Sequence, residues 1–211
     1  MGNFSLFTII IIAANVIISY KGFEDYRFFE RYKFNIGGIR RGEQFRVFSS
    51  GFLHADSTHL LFNMITLYFF AGRVNYELGQ FNFLIVYFGS LVLGSLLSFY
   101  FHKNEYQYSA VGASGAVMGV IYSAILIDPM MQIYAIIPGF VFGVAYLLYS
   151  IYGMKKRIGN IGHDAHFGGA VGGYLITLFM KPSLFQEQPL MVGILAIPIV
   201  VLFIMHKLGK I

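Results

Sequence analysis

The stretch Gly112-Ala113-Ser114-Gly115 opens one apolar segment of this sequence, and the stretch Ala165-His166-Phe167-Gly168-Gly169 opens another. A serine hydroxyl is a weak nucleophile near neutral pH until a neighbouring base takes its proton, and imidazole is the side chain whose unperturbed pKa best suits that task. The two stretches therefore predict a nucleophile, Ser114, and a base, His166, at the starts of two helices.

The composition indicates that these helices lie in a membrane. Hydrophobic residues make up 57% of the chain and charged residues 12%, whereas about a quarter of the residues in an average soluble domain are charged. We predict an all-α polytopic membrane protein that forms a single domain over residues 1–211, with a catalytic core at about 4–180. One spanning helix needs roughly 20 mostly apolar residues. The predicted spans are 4–20, 59–76, 81–101, 109–127, 133–152, 166–180 and 190–208.

A long polar insertion, residues 21–55, separates the first two predicted spans and is rich in aromatic and charged side chains. A connection of this length is rarely without structure of its own, and aromatic side chains favour the headgroup depth of a bilayer. We therefore expect short helices that lie in the membrane interface. A basic loop attracted to anionic lipid is the alternative.

The second span carries two polar side chains at helical spacing. His59 and Asn63 are four residues apart, so they lie on the same face of the helix about one turn from each other. A polar pair within a membrane is expensive unless it finds partners, and it is therefore a candidate functional site. Hydrogen bonding between helices explains these two residues equally well.

Glycines surround the serine and follow the histidine. Their spacing predicts that the fourth and sixth spans pack closely through glycine faces. Since one span separates these two, they run in the same direction and bring Ser114 and His166 to one side of the membrane. The second span is parallel to both and brings His59 to that side too. The glycines predicted to pack helices are Gly112, Gly115, Gly119, Gly169 and Gly173.

Together these motifs resemble the signature set of the rhomboid intramembrane serine proteases. The matching features are Gly112-Ala113-Ser114-Gly115, Ala165-His166 with its following glycines, and His59-x-x-x-Asn63. The resemblance extends over about residues 46–173 and implies a six-helix rhomboid-like core, to which residues 190–208 would add a seventh, C-terminal transmembrane helix. Many members have an aromatic ring one turn after the nucleophile, where this sequence has Met118. We expect a modified pocket there and retained activity.

The resemblance also implies the chemistry. Ser114 would be the nucleophile and His166 the general base, with no third carboxylate; His59, Asn63 and the backbone N–H of Ser114 would stabilise the oxyanion. The substrates would be transmembrane segments of other proteins. We expect no cofactor, no metal and no nucleic-acid partner, contact with membrane lipid, and a multi-pass location in the cell (plasma) membrane. The oligomeric state is left open.

Other readings of the same residues remain. His163 and His166 are three residues apart and could bind a metal, but the sequence has no cysteine and no His-Glu-x-x-His motif. Asp164 could be a third catalytic member. A catalytically silent rhomboid-like protein that binds membrane clients and a transporter with a polar pathway are the alternative functions. The family orientation would place the active site outside, yet most Lys and Arg residues fall in loops on that side, against the positive-inside rule.

Overall fold

The computed structural model describes residues 5–133, 135–159 and 162–211. The first half of the chain contains α1 (Leu6–Glu24), α2 (Tyr26–Tyr32), β1 (Phe34–Asn35), α3 (Ile36–Arg40), α4 (Arg46–Ser49), a 3-10 turn (Ser50–Phe52), α5 (Ser57–Leu78) and α6 (Gln80–His102). The second half contains β2 (Ser109–Ala110), α7 (Ser114–Ile127), β3 (Gln132–Ile133), β4 (Ile137–Pro138), α8 (Gly139–Lys156), α9 (His163–Met180), α10 (Leu184–Glu187) and α11 (Pro189–Lys207).

Each predicted span overlaps a long helix, which confirms the helical fold class. Within the described ranges, α1, α6 and α11 are long and apolar enough to cross a membrane, and α7 is a shorter apolar helix of 14 residues. That all seven segments cross the bilayer, as six core helices and one extra, stays a prediction. Phe4, where we predicted the first span to begin, lies outside the described residues.

Three predicted helix starts were wrong by several residues. The α7 helix begins at residue 114 instead of 109, because Ser109–Ala110 pairs with β1 as an antiparallel strand. The α8 helix begins at residue 139 instead of 133, because a hairpin of β3 and β4 precedes it and ends at Pro138. The α9 helix begins earlier than predicted, at residue 163. Hydropathy does not distinguish an apolar strand from the first turn of a helix.

The insertion at 21–55 folds into short helices, as predicted, and a buried arginine holds them together. Arg46 Nη1 donates hydrogen bonds to the backbone oxygens of Glu30, at 2.8 Å, and Lys33, at 2.9 Å. Its Nε donates to the Glu43 carboxylate and holds the pKa of that carboxyl below its usual value. Because β1 of this insertion pairs with β2, the insertion also supports the chain that leads into α7.

The centre of the fold is α7, in which every residue from Gly115 to Ile127 is buried. Its glycine face packs against that of α9. A Cβ added to Gly169 would overlap the carbonyl oxygen of Gly115, and one added to Gly173 would overlap that of Gly119. The two backbones therefore touch directly, and no larger residue fits at these positions.

The C-terminal helix α11 lies against α8 and α9. A Cβ added to Gly143 of α8 would lie 3.1 Å from Leu195 Cδ2 of α11. The Tyr174 hydroxyl of α9 donates a 2.9 Å hydrogen bond to the backbone oxygen of Val192. These contacts join α11 to the same two helices that carry one side of the candidate site.

Candidate active site

Ser114 is the first residue of α7, and the chain reaches it through an unusual turn at Gly112. The φ angle of Gly112 is +130°, in the region that favours glycine. A Cβ at this position would lie 2.7 Å from Cε1 of His59 and 3.6 Å from Oγ of Ser114. The His59 ring and the Ser114 hydroxyl therefore both lie beside Gly112. Gly112 precedes α7 and lies against His59 of α5, and its role in helix packing stays a prediction.

The beginning of α7 presents free backbone donors beside the serine. Its N-cap residue is Ala113, whose side chain cannot accept a hydrogen bond from the first turn. Within the part of the chain that the structure describes, the backbone N–H groups of Ser114 and Gly115 have no partner. Such N–H groups, at the positive end of the helix dipole, favour a negatively charged oxygen.

His59 and Asn63 lie at the start of α5, next to this point. The side chain of Asp56 caps the helix by accepting a 2.8 Å hydrogen bond from the backbone N–H of His59. Asn63 is buried, and its Nδ2 donates to the backbone oxygen of His59 at 3.1 Å. One of its two amide hydrogens is therefore used within the helix, and the second is available to a ligand.

His166 lies in the first turns of α9. A Cβ on Gly115 would lie 3.2 Å from the backbone oxygen of Ala165, so the residues next to Ser114 and His166 are in close contact. Within the described residues no hydrogen bond joins Ser114 to His166. His166 Nδ1 instead lies 2.7 Å from the hydroxyl oxygen of Tyr146 on α8, at hydrogen-bond distance. Within the described residues its other ring nitrogen, Nε2, makes no hydrogen bond.

A third histidine, His54, holds the turn before Ser114 in place. It is fully buried; its Nε2 accepts a 3.4 Å hydrogen bond from the backbone N–H of Ala113, and its Nδ1 lies 2.8 Å from Ser19 Oγ. The Ser19 hydroxyl donates to the backbone oxygen of Phe52, so it can accept from Nδ1–H. This network is satisfied by a neutral imidazole, and burial together with the nearby His59 lowers the pKa of His54 to about 3.

Acidification is expected to destabilise the protein through His54. Between its ordinary pKa of 6.5 and its folded value of about 3, the unfolded chain binds a proton that the folded chain excludes, so stability falls as the pH falls through this window. Thermal unfolding in detergent, followed by far-UV circular dichroism at several pH values, measures this. The His54→Gln variant should depend less on pH than the wild type; equal dependence in both would contradict the role of His54.

The other acidic and histidine side chains near α9 do not complete a triad or a metal site. The Asp164 carboxylate lies 3.5 Å from Nε2 of His102. A third catalytic member would contact Nδ1 of His166, and the Tyr146 hydroxyl lies at that nitrogen instead. His163 is buried with its ring edge against Tyr149, 5.4 Å between centroids. In the described ranges no three His, Asp or Glu residues group so as to hold a metal ion.

Tyr146 is the site residue that sequence reasoning missed. Met118 is buried one turn after Ser114, as its spacing predicts, and the aromatic side chain beside His166 comes from α8 instead. The ring centroids of Tyr146 and His166 are 6.2 Å apart. The only sequence signal was a tyrosine on the same helical face as Gly139 and Gly143, and many apolar helices share such a pattern.

The part of the chain that carries these motifs is similar to known proteins. The family model of the Rhomboid domain matches residues 41–183, which include α5, α6, α7, α8 and α9. YdcA of Bacillus subtilis, whose name assigns it to the rhomboid proteases, is 32% identical over 140 residues, covering 66% of this chain and 69% of YdcA.

Two longer relatives match as well. The rhomboid protease GluP of Bacillus subtilis is 27% identical over 173 residues, which cover 81% of this chain and 33% of GluP. Rhomboid protein 1, mitochondrial, of Saccharomyces cerevisiae is 28% identical over 150 residues, covering 67% of this chain and 43% of the yeast protein. The chain thus spans less than half the length of these two proteins.

Proposed function

The chain belongs to the rhomboid family, and on that premise we propose that it is an intramembrane serine endopeptidase with a catalytic dyad of Ser114 and His166. It is an integral membrane protein, and its substrates are transmembrane segments of other membrane proteins. Location in the cell membrane is part of the proposal, since some relatives carry mitochondrial names.

One observation carries this proposal: the convergence of the Ser114 hydroxyl, the His59 ring and the free N–H groups of α7. The Gly112 turn brings the His59 ring close to the serine hydroxyl. The contact between Gly115 and Ala165 supports an approach of the His166 ring from the neighbouring helix. Hydrolysis of an acyl group needs a nucleophile, a base and donors for the developing oxyanion, and each has a candidate at this point.

The proposed reaction follows from these roles. Nε2 of His166 takes the proton of the Ser114 hydroxyl as its oxygen attacks the substrate carbonyl. The His59 ring, the second Nδ2 hydrogen of Asn63 and the Ser114 N–H donate to the oxyanion. His166 then gives its proton to the leaving amine, and a water molecule, activated by the same base, hydrolyses the acyl-enzyme. Hydrogen bonds to the oxyanion stabilise the transition state most where bulk water is excluded.

The test is labelling of the full detergent-solubilised chain by a fluorescent fluorophosphonate, which reacts with activated serines. The wild type should be labelled, and Ser114→Ala and His166→Ala should not. Ser57→Ala is a matched control, since Ser57 is an exposed serine at the start of α5, and it should be labelled like the wild type.

The outcomes separate the alternatives. Labelling that survives Ser114→Ala would assign the nucleophile to another serine. A folded wild type that is not labelled would favour a silent client-binding protein of the same family, which binds membrane proteins without cleaving them.

A further inference from the structure

The contact between Tyr146 and His166 is a polar contact between two helices of the candidate site. The two residues lie on α8 and α9, and the hydroxyl oxygen and Nδ1 are 2.7 Å apart. This is a short distance for a hydrogen bond that involves nitrogen. Within the described residues, no carboxylate contacts His166, so the phenol is the group that faces its Nδ1.

The contact bears on the tautomer of His166. In a neutral imidazole, one ring nitrogen carries the hydrogen and the other carries the lone pair. To take a proton from Ser114, Nε2 of His166 must have the lone pair, so the hydrogen must be on Nδ1. In that tautomer Nδ1–H donates to the Tyr146 oxygen. After proton transfer the imidazolium keeps the same donor, and the phenol oxygen accepts from it in both states.

We propose that Tyr146 is a positioning residue: its hydroxyl oxygen accepts a hydrogen bond from Nδ1–H of His166 and so fixes the tautomer and the ring orientation in which Nε2 faces Ser114. This role rests on the proposed protease function. It is the task that a buried carboxylate performs in triads, performed here by a neutral group on a different helix.

The surroundings of Tyr146 hold its ring in place. The Phe142 ring, one turn earlier on α8, stacks on it with centroids 5.7 Å apart and planes 22° apart. One turn later, Ser150 Oγ donates a 3.0 Å hydrogen bond to the backbone oxygen of Tyr146. The Phe142 contact restrains the ring and the Ser150 bond involves the backbone alone; a restrained phenol can orient its partner better than a freely rotating one.

The first measurement compares cleavage kinetics of Tyr146→Phe and wild type on a model transmembrane substrate in proteoliposomes. Phenylalanine keeps the ring and removes the hydroxyl. We expect kcat to fall about tenfold, the factor that corresponds to one lost hydrogen bond, and KM to stay unchanged, since the proposed role of Tyr146 does not include contact with substrate. Tyr149→Phe removes a phenol from the same helix, where the ring meets His163 edge-on, and should leave kcat unchanged.

The second measurement is independent of activity. Nitrogen-15 NMR of histidine-labelled protein reports which ring nitrogen is protonated, and His166→Gln identifies the His166 signals. We expect Nδ1–H in the wild type at neutral pH and a gain of Nε2–H in Tyr146→Phe. The proposal would be overturned if the wild type has Nε2–H. It would also be overturned if Tyr146→Phe changes neither the tautomer of His166 nor kcat. If the wild type has the expected tautomer but is inactive, the protease function fails and the positioning contact stands.

Discussion

Replacing Ser114 with alanine is expected to abolish cleavage of a transmembrane substrate in proteoliposomes while the fold is kept. Loss of the nucleophile removes the covalent route, and in serine proteases with a complete triad this lowers kcat by about a millionfold. Ser114 is half-buried at the first position of α7, and its hydroxyl has no hydrogen bond within the described residues. Its removal therefore breaks no hydrogen bond among the described residues, and the thermal unfolding midpoint should stay the same.

The double variant Ser114→Ala/His166→Ala gives this prediction a sharper form. Residues that act as one catalytic unit are not additive, so the double variant should be no slower than either single variant. Cleavage rates are read from the appearance of the product fragment on gels over several hours. Two separate losses that multiply would mean that the two residues act independently, and substantial cleavage by Ser114→Ala would exclude it as the nucleophile.

Replacing Gly169 with alanine is expected to have the largest effect on stability. The added Cβ would overlap the Gly115 carbonyl oxygen, and backbone atoms cannot rotate away as a side chain can. The α7 and α9 helices must therefore separate, which costs about 3 kcal/mol at the upper end of overpacking effects. The free energy of unfolding in a denaturant series, followed by circular dichroism, measures the loss.

The matched control is the same substitution at Gly72 of α5, where an added Cβ would meet nothing within 4 Å. Alanine has a higher helix propensity than glycine, so Gly72→Ala should stabilise the protein by about 0.5–1 kcal/mol. The two variants thus differ in sign although the chemical change is identical. A Gly169→Ala variant as stable as the wild type would show that the two helices are not in backbone contact.

Fluorophosphonate labelling of Gly169→Ala should be weaker as well, because Ser114 and His166 lie on the two separated helices.

The parts of the site that could be predicted from the sequence have local signatures. His59 and Asn63 are related by the spacing of one helical turn, and the glycines near Ser114 and His166 by the same spacing. Helical periodicity, and the single span between neighbouring members of the set, therefore predict that these residues lie on one side of a membrane. The same spacing predicts the packing of the two glycine faces, and the backbones of α7 and α9 approach closely at these glycines.

The rest depends on contacts between distant parts of the chain. Because Ala110 pairs with Phe34 in a strand, α7 begins later than predicted. No pattern in either short stretch indicates its partner. His54 accepts its hydrogen bond from Ala113 across 59 residues of sequence, and no local pattern indicates that contact. Tyr146 is one of many tyrosines in an aromatic-rich chain. Which of them faces a histidine is decided by helix packing, which sequence periodicity does not fix.

The short length of α7 determines how the nucleophile relates to the thickness of the bilayer. Fourteen residues make a helix of about 21 Å, whereas the hydrocarbon core is about 30 Å thick. Buried on all sides by other helices, α7 has no contact through which lipid could stretch or tilt it. Under the proposed protease function, we therefore expect a thicker or thinner membrane to shift the substrate helix relative to Ser114, so that hydrophobic matching selects the bond that is cut.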